Sequence, residues 1–158
     1  MSFFKKLFGG GKSNDFIPTR PLKLQYEVTT DNAAKFANQF VEIINNNERV
    51  GLNYSIGTLA FVDQFLERFK RQNVSVDKFA ETIFVAGCYV GQTMLLNAGG
   101  NWIYNPDIAL QDGVRRQPIL VKMANGNVVD PITKAFRRFE KGESDSLVKF
   151  YQVSVVAG

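Results

Sequence analysis

The chain reads as an α+β protein, with helices packed around a buried central helix at about 76–97 and a small antiparallel sheet followed by C-terminal helices. Three observations predict it. No residue between Thr82 and Pro106 is charged. Burying an unpaired ion is prohibitively costly, so a segment that avoids charge for that long is built to be dehydrated. Gly99-Gly100 then stops the helix, and short β-type runs follow, two of them joined through Asn125-Gly126, a strong short-range hairpin signal. On either side of this middle, apolar residues recur at helical spacing.

With 158 residues and 45% hydrophobic composition, the chain can bury one ordinary core and is too short for two full domains. A tail at 1–16 and a single globular domain at 17–158 are expected. In the tail, Phe4, Leu7 and Phe8 share a helical face beside Phe3, with Lys5 and Lys6 turned elsewhere, and Gly9-Gly10-Gly11 makes a flexible tether. Such a basic amphipathic peptide suits an anionic membrane surface or a groove on a partner, or it packs back on its own domain. Gly9 to Ser13 superficially resembles the end of a phosphate-binding loop, but it lacks the preceding strand and following helix that would aim amides at a phosphate.

Leu24 to Val28 alternates as an edge strand would. A helix capped by Thr30 or Asp31 follows, with Ala33, Phe36, Ala37, Phe40, Ile43 and Ile44 on its apolar face. The next begins around Ser55 and buries Leu59, Val62, Phe65, Leu66 and Phe69. Asp63, Glu67, Arg68, Lys70 and Arg71 are expected to point away from the core.

Ser75 caps the central helix. Phe79, Ile83, Ala86, Val90 and Met94 cover one side, and Val85, Tyr89 and Leu96 the opposite one, so neighbours must surround it. Ala86, Gly87 and Gly91 thin it, which lets another element approach the backbone. Its strongly apolar run falls short of the roughly 20 residues a bilayer needs, so a core helix is expected.

Strands are predicted at about 101–104, 118–123 and 127–129, with a connecting loop over 105–117 long enough to suggest function. Trp102, Tyr104 and Tyr89 are expected in the core. Asp130-Pro131 opens a helix by cap and first-turn proline, and Gly142 ends it. A last helix begins near Ser144 or Asp145. The segment 153–158 is left open between helix, strand and disorder.

Composition narrows the chemistry. The chain has no His, which removes the usual general base, metal ligand and proton switch. Its single Cys88 forms no intrachain disulfide or cysteine metal cluster and sits inside the apolar helix, where a thiol is inert. No cofactor or metal is expected, and no secretory signal is visible, so a cytoplasmic location is expected, with attachment to the inner membrane through the tail as a variant. A formal net charge of +4 mildly favours acidic partners but lacks the density of a nucleic-acid binder. The clearest charged feature is a basic stripe, Lys134, Arg137, Arg138 and Lys141, expected on one helix face and joined by Arg115, Arg116 and Lys122. It suits a carboxylate-rich partner or a phosphate backbone, and it is also what a solvated helix face looks like. Glu81, Asp107, Asp112, Glu143 and Asp145 are the carboxylates that acid–base chemistry could use, and no spacing singles out a pair.

Leu52-Asn53-Tyr54-Ser55, Tyr89-Val90-Gly91, Gly99-Gly100-Asn101-Trp102, Asp130-Pro131, Arg137-Arg138 and Asp145-Ser146-Leu147 before Phe150-Tyr151 carry a resemblance over about residues 50–152. The chain resembles a loose group of small bacterial α+β proteins without established activity, some associated with toxin immunity. Gln92 stands where that group leads one to expect Glu. The resemblance implies a bacterial cytosolic protein and assigns no catalytic residue. The leading expectation is a non-enzymatic protein-binding module, with a toxin-neutralising immunity protein as its specific form. The alternatives are a peripheral membrane or assembly factor docking through Phe3 to Phe8 and, third, a carboxylate-dependent enzyme.

Overall fold

The computed structural model of the chain describes residues 23–106 and 117–156. Among these, five α-helices and three strands follow in order: α1 (Ala33–Glu48), α2 (Thr58–Arg71), α3 (Val76–Ala98), β1 (Gly100–Tyr104), β2 (Ile119–Met123), β3 (Val128–Val129), α4 (Pro131–Lys141) and α5 (Leu147–Ser154). A 3-10 turn over Glu143–Asp145 leads into α5. This is the α+β architecture the sequence predicts, with α3 as its buried centre.

Helix α3 starts where Ser75 Oγ accepts the Lys78 amide at 3.3 Å and ends at Gly99, whose φ of 86° a residue with a side chain would rarely adopt. At 23 residues it is long and apolar enough to cross a bilayer, so length does not separate a core helix from a membrane span; what does is that most of it lies inside the protein. α1 and α4 make its most extensive packing.

The glycines explain how α4 comes so close. A Cβ on Gly87 would lie 2.6 Å from Ile132 Cα, and one on Gly91 would lie 2.4 Å from Trp102 Cη2. Both would overlap atoms already there, and at Gly87 the obstacle is backbone, which cannot swing aside. Around this axis an aromatic chain ties the helices together: Phe40 on Phe65 at 5.5 Å, Phe65 on Phe79 at 6.0 Å and Phe79 on Phe139 at 5.4 Å, with Phe36 edge-on to Phe84 at 5.2 Å. The abundant phenylalanines thus link α1, α2, α3 and α4 in one core.

The sheet is antiparallel in the order β1-β2-β3, with Trp102 opposite Val121 and Val121 opposite Val129. Ile119, Val121 and Met123 are buried while Lys122 is exposed, the alternation of a half-covered sheet. Gly126, at φ 95°, turns the hairpin.

Four local expectations change. Leu24 to Val28 joins no strand: Tyr26 packs edge-on to Phe36 at 5.7 Å and Gln25 bonds Gln39, so the segment lies along α1. The residue before α1 is Asn32, whose side chain bonds the Glu27 carbonyl instead of capping the helix. Tyr89 is fully buried and Trp102 half-buried as expected, but Tyr104 is 56% exposed at the end of the edge strand. The last helix is capped by Ser146 and runs from Leu147 to Ser154, two to three residues later than the expected start, which a 3-10 turn occupies instead.

Candidate functional site

The basic stripe on α4 splits into two rows. Lys134 and Arg138 are four residues apart, as are Arg137 and Lys141, and three-residue offsets turn the second row about 60° from the first. The 134/138 row faces neighbouring helices and the 137/141 row faces solvent.

Arg138 is therefore a correction to the surface reading. It is only 1% exposed, its Nε donates to Asp63 Oδ1 at 3.0 Å, and its Nη1 donates to Glu67 Oε1 at 2.7 Å. Asp63 and Glu67, expected to point away from the core, are buried on α2 beside it. The reason lies in their spacing: Leu59, Asp63 and Glu67 form one i, i+4 row, so the carboxylates continue the apolar face toward α4. The alignment of both carboxylates with Leu59 is the sequence signal for their inward orientation.

Asp63 also organises the start of α5. Its oxygens accept the Leu147 amide at 2.8 Å, the Val148 amide at 3.3 Å and the Ser146 hydroxyl at 3.1 Å. A carboxylate at these free N–H groups satisfies donors that the first turn of α5 leaves without intrahelical partners. Glu67 completes the group through Arg71 Nε at 3.0 Å. The hydrogen bond from Arg138 holds the Glu67 carboxyl below its ordinary range, against the opposing effect of its burial. Lys134 is likewise engaged, 2.7 Å from Asp145 and above the Phe150 ring.

What reaches solvent is the end of the molecule where α2 and α4 stop together. A Cβ built on Gly142 would lie 3.5 Å from Lys70 Cε, so the ends of α2 and α4 adjoin. Arg137 and Lys141 are exposed there, and the Arg71 side chain is 73% exposed while it touches Glu67. Arg68, Lys70 and Arg71 fill the last turn of α2, and Arg138 and Lys141 that of α4. Cations at helix C-termini offset the negative end of the peptide dipoles, which accounts for part of this clustering. An open depression of about 360 Å³ lies alongside, between Lys70, Asn73, Ser75 and Glu140.

A second polar cluster lies on the other side of α2. Tyr54 has φ 65°, a strained value for an aromatic residue. Its amide donates to Tyr89 Oη at 2.9 Å, its carbonyl accepts from Asn97 Nδ2 at 2.8 Å, and its ring stacks on Tyr89 with centroids 4.8 Å apart. Tyr89 Oη also shares a 2.7 Å hydrogen bond with Thr58 Oγ1. Burial, and then proximity to Tyr89, push the Tyr54 hydroxyl up to about 12, so it stays neutral. The cluster fixes the turn into α2, and nothing in the sequence marked it.

Of the remaining candidates, Asp145 is tied to Lys134, and Glu143 is exposed on the 3-10 turn. Cys88 is fully buried, and burial together with the Asp130 carboxylate raises its thiol well above its ordinary value, which leaves it neutral. Among the described residues no group of His, Cys, Asp and Glu is arranged to hold a metal. Arg115 and Arg116, Asp107 and Asp112, and the tail residues Phe3, Phe4, Lys5, Lys6, Leu7 and Phe8 lie outside the described residues. Comparisons of the chain with protein-family models, with curated proteins and with solved structures return no match.

Proposed function

We propose that the protein is a non-enzymatic protein-binding module that engages an acidic partner through the basic end formed by Arg137 and Lys141 of α4 with Lys70 and Arg71 of α2. The observation that carries this reading is that the last turns of α2 and α4 are basic and adjoin at Lys70 and Gly142, with Arg71 and Lys141 exposed in them and Arg137 exposed one turn earlier on α4. Asp63 and Glu67, the carboxylates that share Arg138, are meanwhile engaged with it and, in the case of Asp63, with the α5 amides. An acidic surface meeting such an end gains charge-assisted hydrogen bonds and faster encounter. Neutralisation of a cognate toxin in a bacterial cell is the specific form of this proposal, and it rests on the resemblance alone.

The test is recovery of a stoichiometric complex from the native host, followed by charge reversal at Arg137 and Lys141. Reversal at both positions is expected to weaken the complex at least about tenfold and to flatten its salt dependence. A complex that keeps its affinity and salt dependence removes this surface from the interaction. Both side chains are exposed, so the variants should fold.

A further inference from the structure

The C-terminal helix is held differently from the rest of the fold. α5 fully buries only Leu147 and Ser154, whereas Val153 and Val156 are 66% and 63% exposed. With eight residues, it is too short to persist as a helix by itself. Val148, Phe150, Tyr151 and Val155 pack half-buried against the core, and the hydrogen-bonded fixed points of the segment lie at its two ends. At the start, Asp63 of α2 receives two α5 amides and the Ser146 hydroxyl, and Lys134 of α4 grips Asp145 in the preceding turn. At the finish, the side-chain amides of Asn125 and Asn127 in the hairpin turn each donate to the carbonyls of Ser154 and Val156, at 2.9–3.1 Å.

We propose that residues 143–156 form a strap, latched by Asp63 at one end and by Asn125 and Asn127 at the other, that opens as a unit while the body built on α3 stays folded. The strap packs on α2 and α4, so opening brings solvent to the buried Arg138 and to the groove between those helices. The groups that face it are Asp63 from α2, Lys134 from α4 and the two hairpin asparagines, and releasing either end removes several hydrogen bonds at once. This inference is independent of the acidic-partner proposal.

Hydrogen exchange followed by mass spectrometry on the full chain at neutral pH tests it. Peptides from 147–156 are expected to exchange at least about tenfold faster than those from 83–94 in α3, the signature of a subglobal opening. Asn125→Ala with Asn127→Ala is expected to speed exchange in the strap by a further factor of about ten, leaving α3 and the thiol reactivity of Cys88 unchanged. Asp63→Asn should also free the strap, but it disturbs Arg138 as well, so the asparagine pair, on an exposed turn, is the deciding variant. Equal protection of strap and α3 in the native chain, or equal acceleration of both in the double variant, overturns the proposal.

Discussion

The two sides of α4 are held by different physics. Toward α3, Pro131 and Ile132 lie against Gly87 and Gly91 so closely that no added carbon fits. Toward α2 and α5, Arg138 and Lys134 are held by three carboxylates, those of Asp63, Glu67 and Asp145. The first contact tolerates no additional atom; the second tolerates no missing partner. One helix therefore separates a part of the protein that should open only on global unfolding from a part that can open by losing a few polar bonds.

The largest expected effect comes from removing the shared cation. Arg138→Met keeps much of the side-chain volume but leaves Asp63 buried without a counter-charge and Glu67 with only the exposed Arg71, and breaking a buried ion pair in this way costs about 3–5 kcal/mol. Denaturant unfolding measures it. Adding Asp63→Asn and Glu67→Gln should recover part of that loss, since the remaining groups are then neutral. Were Arg138→Met alone to cost under about 1 kcal/mol, in the range of an exposed ion pair, the polar side would not differ from any surface contact.

On the apolar side the corresponding change is an addition. Gly87→Ala places a carbon against the Ile132 backbone and should destabilise by about 1–3 kcal/mol, despite a helix preference of about 1 kcal/mol in favour of alanine. Gly57→Ala is the control, because nothing lies within 4 Å of its Cβ position. A stable Gly87→Ala protein would show that α3 and α4 can separate cheaply, and the contrast would fail.

How much of this was legible in the sequence depends on the range of each interaction. Ser75, Asp130-Pro131, Asn125-Gly126 and Gly142 act within a few residues of themselves, and each performs the expected local task. The central helix was legible because its lack of charge is a property of one segment. The pairing of Arg138 with Asp63 and Glu67 spans 75 and 71 residues, and although the row of Leu59, Asp63 and Glu67 aligns the carboxylates with the apolar face, no local pattern specifies the cation that meets them. The same range hides Tyr54, whose strained backbone depends on Tyr89, 35 residues away.

That tyrosine pair supplies a smaller test within the folded body. Tyr89→Phe removes the oxygen that accepts the Tyr54 amide and bonds Thr58, at an expected cost of about 1–2 kcal/mol, by thermal or denaturant unfolding. The loss should speed exchange at the Tyr54 amide while leaving the strap at 147–156 untouched, because the Tyr89 hydroxyl is bonded to Tyr54 and Thr58, at the other side of α2. Acceleration in the strap would mean that the two regions are coupled through α2.

The smallest effect is that of acid on the polar side. Arg138 lowers the Glu67 carboxyl below its ordinary value of 4.5, so the unfolded chain takes up this proton at a higher pH than the folded one. The stabilisation is then fully present above that ordinary value and is lost as pH falls through the lowered folded-state value. Glu67→Gln lacks the group that titrates. The stability difference between the native chain and this variant, measured by urea unfolding, should be constant from neutrality down to about pH 5 and narrow below it. Protection of the strap, relative to the intrinsic exchange rate at each pH, should fall over the same acid range, since the arginine that loses Glu67 also holds Asp63. A difference that stays constant through the acid range would mean that Glu67 and Arg138 are neighbours without a charge-dependent bond, and would leave Asp63 alone to link Arg138 to α5.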